Sequence, residues 1–128
     1  MGVRHFSELA AWQLADAACR ELVAVSARAA AAHDFVFSDQ LRRSALSASS
    51  NIAEGFGRYQ HGGFARFCDF AIGSLSESES HLYIARRAGY LSSADFDALT
   101  SLVKRARAAT IALRNYLRHT ATPDAQRR

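Results

Sequence analysis

The stretch Ser38–Arg58 limits what this chain can fold into more than any other. Leu41, Ala45, Ala48 and Ile52 recur at intervals of four, three and four residues and therefore share one face of a helix. An apolar face of that length has to be covered by other elements. Arg42 and Arg43 fall off it. Ser47, Ser49, Ser50 and Asn51 crowd its middle, where short hydroxyl and amide groups compete with the backbone ladder for hydrogen bonds and weaken the helix locally. Gly55 and Gly57 close the segment, since glycine reaches left-handed geometry without steric cost and commonly follows a helix C-terminus. Ser38 is placed to cap the start.

Three further stripes share this period. Phe6, Leu9, Trp12, Ala15, Cys19, Leu22 and Val25 mark a first helix, with Ser7 as its cap and Glu8 in its first turn. Phe64, Phe67, Ala71, Leu75, Ser78, Leu82 and Ala85 mark a third, ended by Gly89. Phe96, Leu99, Val103, Ala106, Thr110, Leu113 and Leu117 mark a fourth, opened by Ser92 with Asp95 in a short-armed capping box. The expected helices cover about residues 6–32, 38–57, 63–88 and 92–118. Phe35 and Phe37, in the first connection, are expected to tuck over the bundle end. Four long amphipathic helices with short connections predict an all-α, antiparallel up-down-up-down four-helix bundle in one domain, residues 1–119. Residues 120–128 lack an apolar period and read as a disordered basic tail.

The formal charge is +4, unevenly placed: −1 over residues 1–37, +2 over 38–66, −1 over 67–90 and +4 over 91–128. The excess lies on helices two and four, where Arg42, Arg43, Arg58, Lys104, Arg105 and Arg107 are the candidate phosphate-binding residues. The competing reading makes the same arginines a solvated face or a contact to acidic patches on another subunit. Stacking aromatics are scarce among them, which argues against sequence-specific recognition of single strands. No apolar run approaches the roughly 18 residues a membrane span needs, and Met1–Phe6 has no apolar secretory core, so a cytoplasmic protein without membrane contact is expected. Cys19 and Cys68 lie on different helices with no CxxC spacing and read as buried thiols.

Chemistry finds little purchase. No Glu-x-x-His pair of the di-metal bundles occurs. Glu77 and His81 share a helical face, but a solvent-facing ion pair is the simpler reading, so no metal and no cofactor is expected. His5, His33, His61 and His119 fall near segment ends, where imidazoles are commonly exposed. Ser47, Ser49 and Ser50 have no histidine on their own helix to act as base, and the chain reads as a non-enzyme. Asn51 and Glu54 stand beside Ile52 and Gly55. Asn51 is expected to satisfy backbone groups freed at the helix irregularity, and Glu54 to hold the loop through Arg43, Arg58 or Arg66. The glycine-rich segment 58–63 lacks GxxxxGK[ST] and is not a phosphate loop.

Arg42-Arg43-Ser44-Ala45-Leu46-Ser47 followed by Asn51-Ile52-Ala53-Glu54-Gly55-Phe56-Gly57-Arg58 resembles the signature of the four-helix bundle proteins encoded in intervening sequences of bacterial 23S ribosomal RNA genes. The blocks Phe64-x-x-Phe67 and Ala71-Ile72-Gly73-Ser74-Leu75-x-Glu77, with Phe6-x-x-Leu9 and Trp12-Gln13 upstream, resemble that family's third and first helices. Ser49 stands where the family pattern has a kinking proline, and Ala48 where it has a larger aliphatic. The resemblance implies a ring-shaped homopentamer. Through relatives that serve diversity-generating retroelements, it also implies RNA or DNA and a reverse transcriptase as partners.

Overall fold

A computed structural model describes residues 2–58, 60–120 and 122. A 3-10 turn, Phe6–Glu8, precedes four helices: α1 Ala10–Ala31, α2 Phe35–Phe56, α3 His61–Ala88 and α4 Ser93–His119. No strand occurs among the described residues. Each helix packs on its neighbours in chain order and α1 closes the ring against α4, while α2 and α4 stand diagonally and do not touch. The chain is an up-down-up-down four-helix bundle. Its centre holds Leu22, Leu41, Ile52, Leu75, Leu82, Leu117, Val25 and Val103, all sealed from solvent. Alanines 15, 18, 45, 48, 71, 85 and 106 fill the remaining contacts, and their small side chains let the helix backbones approach closely.

The helix starts differ from the sequence expectation. Ser7 caps nothing. It lies in the 3-10 turn, its N–H donating to His5 Nδ1 and its carbonyl accepting from the Gln13 side-chain amide, and Leu9 then leads into α1 in extended geometry. Ser38 does not cap α2 either, because the helix begins three residues earlier at Phe35. Its buried hydroxyl donates instead to the Ser26 carbonyl at 2.8 Å and pins the first turn of α2 to α1. The reversal between them passes through His33, whose φ of 65° is left-handed. Of the two phenylalanines expected to cover this end, Phe37 packs on the core and Phe35 stays exposed.

The polar middle of α2 does not break it, and the helix is continuous to Phe56. Ser44 and Ser50 turn their hydroxyls back onto the carbonyls of Leu41 and Leu46, so the competition with the backbone ends in extra acceptor contacts. Gly57 closes α2 in right-handed geometry, φ −74°, and Gly55 lies inside the helix. The left-handed cap expected at Gly89 is present, φ 84°, and Ser92 Oγ accepts the Asp95 N–H at 3.1 Å. α3 starts at His61, which is buried. Its N–H donates to Thr122 Oγ1 and its Nδ1–H to the Thr120 carbonyl, both at 3.0 Å. Those two residues of the expected disordered tail are thus tied to α3, and the rest of that tail lies outside the described residues.

Candidate functional site

One row of polar residues on α2 faces α3. Ser44, Ser47 and Asn51 repeat at three and four residues on α2, and Ser74, Ser78 and His81 at four and three on α3. In the antiparallel pair the two rows meet. Ser78 Oγ donates to Ser44 Oγ at 3.0 Å, Ser44 Oγ lies 3.2 Å from His81 Nδ1, and Ser74 Oγ donates to Ser47 Oγ at 2.8 Å. Asn51 continues the row, its amide donating to the Ser47 carbonyl at 2.8 Å and the Ser47 hydroxyl at 3.0 Å. Its role therefore differs from the expectation: the backbone it reaches belongs to an intact helix.

His81 is buried, not solvent-facing. Its Nε2 stands 3.8 Å from the Glu77 carboxylate and its ring meets Phe37 edge-on. Burial pushes its pKa below 6.5. Glu77 opposes the shift, and Arg43, paired with Glu77 at 3.8 Å, reinforces it. Ser44, His81 and Glu77 thus bring a hydroxyl, an imidazole and a carboxylate into sequence. Ser44 is 2% exposed and its hydroxyl is locked between Leu41 and Ser78, which leaves no approach for a substrate. The cysteines are equally enclosed: burial raises both thiols, with Cys68 pushed up to about 12. No group of three or more His, Cys, Asp or Glu able to hold a metal occurs among the described residues.

Five of the six candidate cations divide between diagonal helices, and the sixth, Arg58, follows the end of α2. Arg42 and Arg43 lie on α2 beside a surface hollow of about 490 Å³ completed by Asp39, Leu46, Ser47 and Ser50. Lys104 and Arg105 lie on α4 beside another of about 470 Å³ with Asp97, Thr100, Ser101 and Ala108. Arg107 turns toward α3, where Glu79 holds it at 2.6 Å and Lys104 at 3.8 Å. Arg42 and Arg105 have no carboxylate partner among the described residues. Within one chain these cations form two basic sites, with α3 and its acids between Arg43 and Arg107.

The second part of the α2 signature serves another end of the bundle. Gly55 is buried where α2 crosses α3, and a Cβ there would come within 2.8 Å of Phe64 Cδ1 and Phe67 Cβ. The two sequence blocks therefore recognise each other through a missing side chain. Glu54 is exposed and pairs along the helix with Arg58 at 3.1 Å, not with Arg43 or Arg66. Arg58 also lies 4.6 Å over the Phe67 ring. Arg66 and Phe70 complete that corner. Sequence reasoning missed it because Phe70 falls outside the core stripe and Arg66 outside the runs of basic residues.

A comparison with curated proteins gives no match. The profile described as 23S rRNA-intervening sequence protein matches residues 7–112, the span holding all four helices but the last turns of α4. With the Asn51–Arg58 block closing on Phe64 and Phe67 as one packed unit, the chain belongs to the 23S rRNA-intervening sequence protein family.

Proposed function

We propose that this chain is a cytoplasmic, non-enzymatic binding protein that assembles into a closed homo-oligomer and holds RNA or DNA through its basic faces. The observation that carries the reading is the pairing of cations with hydroxyls in two shallow hollows, Arg42 and Arg43 with Ser47 and Ser50, and Lys104 and Arg105 with Thr100 and Ser101. Guanidinium, ammonium and hydroxyl groups are the donors that phosphate oxygens take in protein–nucleic acid contacts. Arg42 and Arg105, without carboxylate partners among the described residues, keep their charge available. Around a ring the two faces of each copy alternate into a wider positive zone. Five copies, and a reverse transcriptase as a further partner, are what the family resemblance implies.

Salt titration of binding to a short duplex and a single strand tests this. Affinity should fall linearly on a log–log plot, with a slope near −0.9 for each duplex phosphate contacted. Arg42→Glu with Arg43→Glu, and separately Arg105→Glu, should flatten that slope while helicity stays intact. A second reading, a protein-interaction module without nucleic-acid binding, is favoured by the exposed apolar side chains of Val36, Leu46, Tyr83 and Ile84. It predicts no retention of either probe even at low salt and loss of assembly in the charge-reversed variants.

A further inference from the structure

Where the Asn51–Arg58 block meets the start of α3, the surface opens into a cleft of about 300 Å³ lined by Arg58, Gly63, Arg66, Phe67 and Phe70. Phe70 is 46% exposed, an unusual position for a phenyl ring on a helix whose core stripe is already filled by Phe64, Cys68, Ala71 and Leu75. It meets Phe67 edge-to-face, with centroids 5.4 Å apart and planes at 82°. Arg58 covers Phe67, while Arg66 approaches Phe70 more loosely, 5.8 Å from its centroid. Arg66 has no carboxylate partner among the described residues. Gly63 adds no side chain to the rim.

We infer that this cleft is a stacking site for an unpaired base of a single-stranded nucleic acid, with Phe70 as the platform and Arg66 neutralising a flanking phosphate, while Arg58, held by Glu54, lines the cleft beside Phe67; the inference rests on the nucleic-acid reading above. A phenyl ring presented at the surface beside a guanidinium without a carboxylate partner is a combination that single-strand binders use: the ring takes any base by its π-face and the cation follows the backbone. Charge complementarity points to a polyanion. The perpendicular Phe67 and Phe70 rings suit a flat partner better than an aliphatic side chain. Duplex DNA keeps its bases stacked inside and gains nothing from Phe70. The cleft therefore adds a preference for single strands that the basic hollows on α2 and α4 do not supply. It also gives the family-type blocks around Gly55 a task beyond packing: the glycine lets α3 approach so closely that Arg58 lies over Phe67.

The test is fluorescence anisotropy with labelled 20-nucleotide oligo(dT) and a duplex of the same length, using the full chain and its Phe70→Ala, Phe70→Trp and Arg66→Ala variants. Phe70→Ala should weaken oligo(dT) binding by roughly 10-fold and leave duplex binding unchanged. Phe70→Trp should bind oligo(dT) at least as tightly as the parent protein. Arg66→Ala should lower the single-strand salt slope by about 0.7. If a correctly folded Phe70→Ala binds oligo(dT) like the parent while both probes remain bound, the stacking site is wrong and the nucleic-acid reading survives. If the parent binds neither probe, both fall. Displacement of oligo(dT) by poly-glutamate as efficiently as by unlabelled oligo(dT) would make the cleft a generic acceptor of acidic chains, and a changed subunit count in Phe70→Ala would make Phe70 an assembly contact. Either result overturns the assignment.

Discussion

Ser44 Oγ on α2 and His81 Nδ1 on α3 lie 3.2 Å apart inside the bundle, with Ser78 donating to the same hydroxyl. The chain of donors has a direction. In the Nε2–H tautomer of neutral His81, Ser78 donates to Ser44, the Ser44 proton turns from the Leu41 carbonyl to Nδ1, and the Nε2–H points toward Glu77. Protonation reverses the middle link: Nδ1–H then donates to Ser44, whose proton turns to the Leu41 carbonyl at 3.1 Å. Every group keeps a partner in both states, so the charged form is made costly chiefly by burial, with Arg43 adding to the cost and Glu77 opposing it.

That cost has a pH signature. The folded pKa of His81 lies below its ordinary 6.5, so between those values the unfolded chain binds the proton and the folded chain does not. The contribution is fully present above pH 6.5 and is lost as pH falls through the window down to the folded value. Chemical denaturation at pH 7.5 and at steps below 6.5 should show the parent protein losing stability more steeply than His81→Gln. Parallel curves would remove His81 as the source.

Ser44→Ala should destabilise by about 1–3 kcal/mol, because it strands the Ser78 hydroxyl and His81 Nδ1 in a buried site with no replacement. Asn51→Leu should cost less, about 0.5–1.5 kcal/mol, since the Ser47 carbonyl it leaves stays within an intact helix. Equal losses in urea denaturation would mean that Asn51 carries more of the α2–α3 contact than its hydrogen bonds account for.

Two glycines in helices should respond with opposite sign. Gly73 is exposed and a Cβ there meets nothing within 4 Å, so Gly73→Ala should stabilise by about 0.5–1 kcal/mol through the reduced freedom of the unfolded chain. Gly55→Ala forces a methyl against Phe64 and Phe67 at 2.8 Å and should destabilise by about 1–3 kcal/mol. Thermal melts of the two variants check this directly, and a stabilised Gly55→Ala would show that the α2–α3 crossing can relax.

Asp69 on α3 receives Arg114 at 2.9 Å and also Arg118, two turns of α4 held by one carboxylate. Asp69→Asn should lower stability by about 1 kcal/mol at low ionic strength and by less in high salt, because all three side chains are partly solvated. A loss that does not change with salt would point to packing at α4 instead of charge.

The helices were legible because their signal is local. Leu41, Ala45, Ala48 and Ile52 define a buried face by spacing alone, and the same holds for Leu75 with Leu82 and for Val103 with Leu117. Gly89 and Ser92 were readable as caps because each acts on its own backbone within a few residues. The caps assigned to Ser7 and Ser38 failed for different reasons: Ser7 is held by His5 within the 3-10 turn, and Ser38 by a longer-range partner. Ser38 had Ser26 within reach on α1, and a hydroxyl with a buried carbonyl nearby gains more there than at a helix end open to water. What only the tertiary structure decided lies between helices. Antiparallel packing of α2 on α3 brought Ser44 to His81 across 37 residues of sequence, buried an imidazole that looked exposed, and fitted Phe64 and Phe67 into the space left by Gly55. It also put Arg42 and Arg105 on diagonal helices. Periodicity fixes which face of each helix turns inward, but polar partnership depends on the register between two helices, and that register is set by side-chain volumes that meet only once the chain has folded.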